Sequence, residues 1–225
     1  MTPSNPAIEI IWFKRDLRVQ DNTALIRALQ SVKQNSAGLL PLYIIEPQLW
    51  QQPDASYRQW QFVIDCLETL NRDLTEIGQP LQVYVGNAEE IFQSLSERYT
   101  ILNLWSHQET GNAWSFKRDI AVKKWCHAQH IRWHQPPQHP IQRGTFNRDE
   151  YGQLSNAFFN TMPLPAPKKS ILKPLFTEHT FSLDTVINLE LPLTYWANET
   201  TQRGGRHRAE KALNSFLQSR SERYL

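Results

Sequence analysis

WFKRDLRVQDNTAL, residues 12 to 25, sets two aromatics, Trp12 and Phe13, directly against four charged residues, Lys14, Arg15, Asp16 and Arg18. The residues before this crowd, IEIIWF (8–13), form a short apolar run of the kind that makes a buried strand. After it, Leu25, Ala28, Leu29 and Val32 recur at i, i+3, i+4 and i+7, the spacing of one helix face. Asp21 or Asn22 stands where a helix N-cap belongs, because a short polar side chain there accepts an otherwise unpaired backbone N–H. The stretch therefore reads as the loop between a strand and the helix that follows it.

The same unit recurs along the chain. GLLPLYII (38–45), LQVYV (81–85), ILNLW (101–105) and IRWH (131–134) are further apolar runs with helical patterns between them. Trp60, Val63, Ile64 and Leu67 mark a second helix that continues through Leu70, Leu74 and Ile77. Ser56 with Gln59 and Asn87 with Glu90 have capping-box spacing, and Asn112 can open a fourth helix. Alternation of this kind predicts an α/β, Rossmann-like fold: a five-stranded parallel sheet in the order 3-2-1-4-5 with helices on both faces. Residues 1–134 make up that domain. Residues 135–202, with a short amphipathic stretch at 147–159 and a proline-rich run at 162–176, read as a peripheral helix and an extended linker. In residues 203–225, Ala209, Ala212, Leu213, Phe216 and Leu217 mark one face of a C-terminal helix.

Composition excludes several classes. With 225 residues, 40% of them hydrophobic and 20% charged, the chain can bury one full-sized core. It contains no run near the roughly 18 apolar residues that a membrane span needs, and residues 1–11 lack a secretory pattern, so a soluble cytoplasmic protein is expected. Cys66 and Cys126 are the two cysteines and do not form a CxxC pair, which argues against a disulfide framework or a cysteine metal site. A formal charge of +2 is too small to indicate a nucleic-acid partner by itself, although residues 203–225 hold six Lys/Arg against two Glu.

In a parallel sheet of this order, ligands collect outside the carboxyl ends of the strands, where WFKRDLRVQDN is the first loop. Four charged side chains there must pair with one another, solvate, or face a ligand or second domain. None is a thiol, imidazole or hydroxyl suited to nucleophilic work. We read Lys14, Arg15, Asp16 and Arg18 as an interface. Asp16 should pair with a nearby arginine or accept backbone N–H bonds, leaving Arg18 or Lys14 free for the partner. No catalytic or metal-ligating residue is assigned. There is no GxGxxG after the first strand and no GxxxxGK[ST].

The run WFKRDLRVQDNTAL resembles the N-terminal motif of the DNA photolyase and cryptochrome family: an aromatic pair, two basic or polar residues, Asp-Leu-Arg, then Asp-Asn before the first helix. HQETGNAWSFKRDIAVKKWC (107–126) is similar to the fourth βα unit of a bacterial branch of that family, and GGRHRAEKALNSFLQSRSERY (204–224) resembles the helix that opens its flavin-binding domain. The resemblance implies an α/β domain that carries an antenna chromophore, folate or deazaflavin, followed by a helical domain that holds FAD and acts on DNA. There, reduced flavin donates an electron to a pyrimidine dimer, the dimer splits and the electron returns; cryptochromes use the same architecture for blue-light signalling. It also implies that Tyr224 contacts a FAD phosphate, and that His107 and Glu109 contact the antenna, with Glu109 accepting hydrogen bonds from an amino-pterin ring. One tyrosine does not enclose FAD, so no bound FAD is expected in this chain, whose catalytic helical domain is the missing partner.

Blander assignments compete at each position. His107 and Glu109 also suit a solvated loop. Trp12, Trp60, Trp105, Trp125 and Trp133 suit the core. Lys117, Arg118, Lys123 and Lys124 suit a solvated helix face. Arg203, Arg206 and Arg208 flank Gly204 and Gly205 at a helix start, suited to a phosphate or to an acidic surface of the same protein. Two functional readings stand: the N-terminal part of a photolyase or cryptochrome, or a free-standing, non-catalytic Rossmann-like module for an antenna chromophore or a partner protein. The stripe Leu213, Phe216 and Leu217 separates them, since a helical domain would cover it whereas a self-sufficient module folds it back or buries it in a dimer. Oligomeric state is left open.

Overall fold

The computed structural model describes residues 5–140, 150–168, 176, 178–191, 193 and 202–224. Five strands, β1 (Ala7–Phe13), β2 (Gly38–Ile45), β3 (Gln82–Val85), β4 (Thr100–Trp105) and β5 (Arg132–His134), form one sheet in the order β3-β2-β1-β4-β5. Every neighbouring pair is parallel, as the alternation predicts. Between them run α1 (Thr23–Asn35), α2 (Pro47–Trp50), α3 (Tyr57–Glu76), α4 (Ala88–Arg98) and α5 (Ala113–Ala128), and beyond them lie α6 (Tyr151–Phe159), α7 (Leu183–Ile187) and α8 (Arg206–Ser215). The last helix continues through a π turn, Phe216–Arg220, into a 3-10 turn, Ser221–Tyr224.

The central strand shows how the sheet is held. Along β1, Ile11 and Phe13 enter one core with Leu25, Ala28 and Val32 of α1 and Leu67, Leu70 and Leu74 of α3. Ile8, Ile10 and Trp12 enter the opposite core with Phe92 of α4 and Val122 and Trp125 of α5. A period of two on a strand covered on both faces produces this near-continuous apolar run. Glu9 interrupts it. Its buried carboxylate accepts from Ser31 Oγ and Trp105 Nε1 at 2.7 Å and from Asn35 Nδ2 and Asn103 Nδ2 at 3.0 Å. Four donors satisfy a charge that would otherwise be too costly to bury.

The helix starts follow the predicted caps. Asn22, not Asp21, caps α1 by accepting from Leu25 N at 2.9 Å. Asp21 instead adopts a left-handed backbone, φ 52°, and its carboxylate accepts from Leu164 N at 3.1 Å, pinning the proline-rich segment to the surface. Ser56, Asn87 and Asn112 cap α3, α4 and α5. Farther along, Val83 N donates to His179 O and Phe181 N to Leu81 O, so residues 179–181 lie antiparallel along the outer edge of β3.

The C-terminal segment docks on α3 through one carboxylate. Arg203 Nε and Nη2 donate to the two oxygens of Asp65 at 2.7 and 2.6 Å, and Gly204 N donates to Asp65 Oδ2 at 2.9 Å. Arg208 lies 3.5 Å from the same carboxylate and Gly205 N donates to Cys66 Sγ at 3.2 Å. Of the two alternatives for these arginines, the acidic surface of the same protein is the one realised by Arg203 and Arg208. Gly204 is required by close approach, because a Cβ there would stand 2.2 Å from the Phe62 carbonyl oxygen, and Gly205 has φ 106°. Gly204→Ala should therefore detach this segment from α3, and trypsin should cut after Arg206 and Arg208 several-fold faster than in the wild type. Equal cleavage rates would show that the close approach does not hold the segment.

Candidate functional site

A cavity of about 520 Å³ opens at the carboxyl ends of β1 and β2. Leu17, Leu49, Phe62 and Val63 supply apolar lining, and Gly205, Arg206 and Ala209 of the docked segment form part of its wall. Among the ionisable residues that line it are Lys14 and Arg15 from the loop after β1, Glu46 after β2, Glu109 after β4 and Arg118 on α5. Lys14 and Arg15 directly follow β1 and Glu46 directly follows β2, while Glu109 lies further along the loop after β4, so the loops at one rim of the sheet bring these side chains together.

Arg118 joins these groups. Its Nη1 donates to Glu46 Oε2 at 2.7 Å, and its Nη2 donates to Glu109 Oε2 at 2.5 Å and to Asp119 Oδ1 at 2.8 Å. Lys14 Nζ lies 3.2 Å from Asp119 Oδ2 and 3.6 Å from Glu109 Oε2, and Arg15 Nε donates to Glu109 Oε1 at 2.8 Å. The Arg118 guanidinium also sits 4.8 Å over the Trp12 ring, and Lys14 Nζ lies 5.1 Å from the same ring. Three cations and three carboxylates thus form one network, buried except for the outer cation, Arg15, with cation–π contacts from Arg118 and Lys14 to Trp12.

The environment separates the carboxylates. Burial raises Glu46 to about 7, the opposing pull of Arg118 being insufficient to restore it. Burial acts on Glu109 in the same direction, but Arg118, Lys14 and Arg15 together bring it down to about 2. Lys14 is lowered by burial despite Asp119 and Glu109. One acid in the cavity therefore titrates near neutrality while its neighbour stays charged, because Glu109 faces Arg118, Lys14 and Arg15 whereas Glu46 has Arg118 alone against its burial.

Behind the cavity, Asp16 is held by an imidazole. His107 Nδ1 lies 2.5 Å from Asp16 Oδ2, Lys14 N donates to Asp16 Oδ1 at 3.3 Å and Asn22 Nδ2 donates to Asp16 Oδ2 at 3.4 Å. Burial opposes ionisation of Asp16, but the His107 contact and the Lys14 N–H keep its carboxyl below the ordinary range. The backbone alternative for Asp16 is realised, and the arginine alternative is not: His107 occupies the position at the end of β4 that reaches the carboxylate first.

Lys14 and Arg18 are not free. Lys14 has a side chain only 3% exposed, and Arg18 Nη2 donates to Asp21 O at 3.0 Å. Arg15, with a side chain 54% exposed, is the outermost of the four. Glu109 stands in the cavity wall as its position after β4 suggests, whereas His107 lies behind it against Asp16. The solvated-face reading fails for Arg118, which is buried, while Lys117, Lys123 and Lys124 are exposed as predicted. Sequence reasoning also missed Glu46 and Asp119. A signal existed: Arg118 and Asp119 lie three and four residues after Ser115 and before Val122, on the buried stripe of α5. The side chain of Tyr224 lies outside the described part of the structure. Among the described residues, no group of three His, Cys, Asp or Glu is placed to hold a metal, and no helix is long and apolar enough to cross a membrane.

Two stability predictions follow from these contacts. Asp16→Ala removes the partner of His107 and the acceptor of Lys14 N, and should cost roughly 1 to 3 kcal/mol in chemical denaturation. An unchanged midpoint would show that Asp16 does not hold the loop. Glu109→Gln should be less stable than the wild type at pH 7 by on the order of 3 kcal/mol. Because the folded-state pKa is depressed, the native state binds fewer protons. The deficit is fully present above the unfolded value near 4.5 and should shrink as pH falls towards about 2. Urea midpoints at pH 7 and pH 3 test it, and a deficit equal at both would contradict the assignment.

The chain is similar to photolyases and cryptochromes. Cryptochrome DASH of Solanum lycopersicum is 37% identical over 109 residues, which cover 46% of this chain and 18% of that protein. The cryptochrome of Synechocystis sp. PCC6803 superposes with a TM-score of 0.72 at 16% identity, covering 97% of this chain and 47% of that one. The archaeal photolyase from Sulfolobus tokodaii, a crystal structure with two FAD molecules, superposes with a TM-score of 0.64 at 22% identity, covering 92% and 46%. The chain thus spans less than half the length of each. The family model for DNA photolyase matches residues 9–146, a span that includes Lys14, Arg15, Glu46, Glu109 and Arg118 of the cavity, and the chain belongs to the DNA photolyase family.

Proposed function

We propose that this chain is the α/β, antenna-type part of a flavin-dependent photolyase or cryptochrome, and that its cavity binds a light-harvesting chromophore, a folate or a deazaflavin. The observation that carries this reading is the cavity itself, at the carboxyl ends of β1 and β2, with a volume inside the ~300–1,000 Å³ range of small-molecule sites. Apolar side chains supply faces for a flat ring, and Glu46, Glu109 and Arg118 supply polar contacts at its margin. A bound antenna absorbs light and passes the excitation on. The protein's part is to hold the ring, exclude water and fix its orientation.

In the same reading, residues 203–225 begin the helical FAD-binding domain, with Tyr224 facing the flavin, and no FAD is retained by this chain alone. Light-driven repair of pyrimidine dimers in DNA, or blue-light signalling, belongs to the complete architecture. Leu213 and Leu217 are 55% and 60% exposed on the outer face of the C-terminal helix, which supports a covering helical domain over a self-sufficient module. A novel light-harvesting cofactor is implied for the photolyase from Sulfolobus tokodaii, which shares this fold.

Fluorescence titration of the purified protein with 8-hydroxy-5-deazariboflavin and with 5,10-methenyltetrahydrofolate tests the proposal. One of the two should bind saturably, and a cavity-filling Ala55→Trp should weaken it at least about tenfold, the loss typical of a blocked pocket. If neither binds, the antenna reading is wrong.

A further inference from the structure

One wall of the cavity comes from outside the sheet and its connecting helices: Gly205, Arg206 and Ala209 line it from the segment docked on α3. The hold on that segment is concentrated at its start. Gly204 and Gly205 are buried, whereas α8, which follows, buries none of its ten residues. Arg203 grips both oxygens of Asp65 through two N–H groups, Gly204 N donates to one of them, and Arg208 stands 3.5 Å away. Arg208 Nη1 also donates to Gly204 O at 3.1 Å, which ties the first turn of α8 back to the same clamp. On α3, Phe62, Val63 and Cys66 line the cavity, but Asp65 does not, and neither does Arg203. The clamp and the cavity are therefore separate, though they meet at adjacent residues: Gly205 N donates to Cys66 Sγ at 3.2 Å, beside the Asp65 clamp.

Resting on the antenna reading of this cavity, we propose that the Asp65 clamp is a latch on a movable wall, and that occupancy of the cavity and docking of residues 203–224 favour each other. With Asp65 engaged, the segment closes one side of the cavity. Released, it takes Gly205, Arg206 and Ala209 away together. The construction suits such a device. The elements around the sheet are held by two apolar cores, whereas this segment is held by a few polar contacts to one carboxylate, with the Arg203 side chain 65% exposed. Regions with few buried apolar contacts open at low free-energy cost, and a ligand can shift a population between two forms that lie close in free energy. The seat itself is specific, since the approach of Gly204 to the Phe62 carbonyl oxygen and the φ of 106° at Gly205 admit no other residue easily. A chromophore that touches the wall makes those contacts only in the docked form. It therefore binds that form better, and linkage requires that it hold the segment in place to the same degree. Occupancy of the α/β domain is in this way passed to the helix at the end of the chain.

The test reads both sides of this linkage in the full chain. Trypsin reports docking through cleavage after Arg208 and Lys211, neither of which lines the cavity, and cleavage follows the undocked population when docking is fast relative to cutting. Asp65→Asn should be cut at least about fivefold faster than the wild type and should bind 8-hydroxy-5-deazariboflavin or 5,10-methenyltetrahydrofolate, whichever the wild type retains, at least about fivefold more weakly. Saturating chromophore should slow cleavage of the wild type several-fold, a result that a merely structural role for Asp65 does not produce. Arg203→Gln opens the clamp from the other side and provides an independent arm if the Asp65 variant does not fold. A folded variant that is cut faster yet keeps wild-type affinity, or wild-type cleavage that bound chromophore leaves unchanged, would overturn the coupling. Wild-type cleavage rates in both folded variants would show that Asp65 is not the latch and would overturn it too. If the wild type binds neither compound, the antenna reading fails and the coupling with it, and faster cleavage of the variants then separates that failure from a failure of the latch.

Discussion

The Arg118 guanidinium is the contact on which the ligand side of this fold depends. It draws together Glu46 from the end of β2, Glu109 from the loop after β4 and Asp119 from its own helix. Without a cation between them, these carboxylates would repel one another across a buried floor, and the strand ends would have to separate or take up protons. A buried ion network of this kind adds little stability over a well-packed apolar equivalent, yet removal of one member leaves an uncompensated charge. Its role is therefore geometric. It fixes the spacing of three strand ends and of α5, and so the shape of the cavity between them.

The two ends of the sheet treat buried carboxylates in opposite ways. Glu9, on the central strand, has four donors from α1 and β4 and nothing left to offer. Glu46, at the other end, accepts from Arg118 through one oxygen, and its other oxygen has no partner among the described residues. The first closes the sheet beneath its loops. The second belongs to the ionic network on the side where open α/β sheets bind ligands.

Much of the fold was legible because it follows from local periodicity. Ile8, Ile10 and Trp12 alternate with Ile11 and Phe13 to fill two cores, and Leu67, Leu70 and Leu74 repeat along one face of α3. Caps could be read from Ser56, Asn87 and Asn112 for the same reason: donor and acceptor lie within three residues. The site was legible only by position. A charged crowd after β1 and Glu109 after β4 could be placed at the ligand-side rim. Their partners could not, because Lys14 meets Asp119 across 105 residues and Arg118 meets Glu46 across 72. Local pattern carries no information on which charge meets which over such distances. A basic pair on a helix usually faces water, and Arg118 departs from that rule only because Ser115 and Val122 place its face against the sheet.

The strip at residues 179–181 along β3 has a consequence for self-association. An open strand edge offers a row of unpaired N–H and C=O groups on which another chain can grow. Here Val83 N and Leu81 O are already engaged by His179 and Phe181, so one margin of the sheet is closed to such growth. At the opposite margin stands β5, three residues long, too short a template for stable cross-chain pairing. Sheet-to-sheet growth is thus hindered at the start of β3 by the chain itself and at β5 by the shortness of the strand.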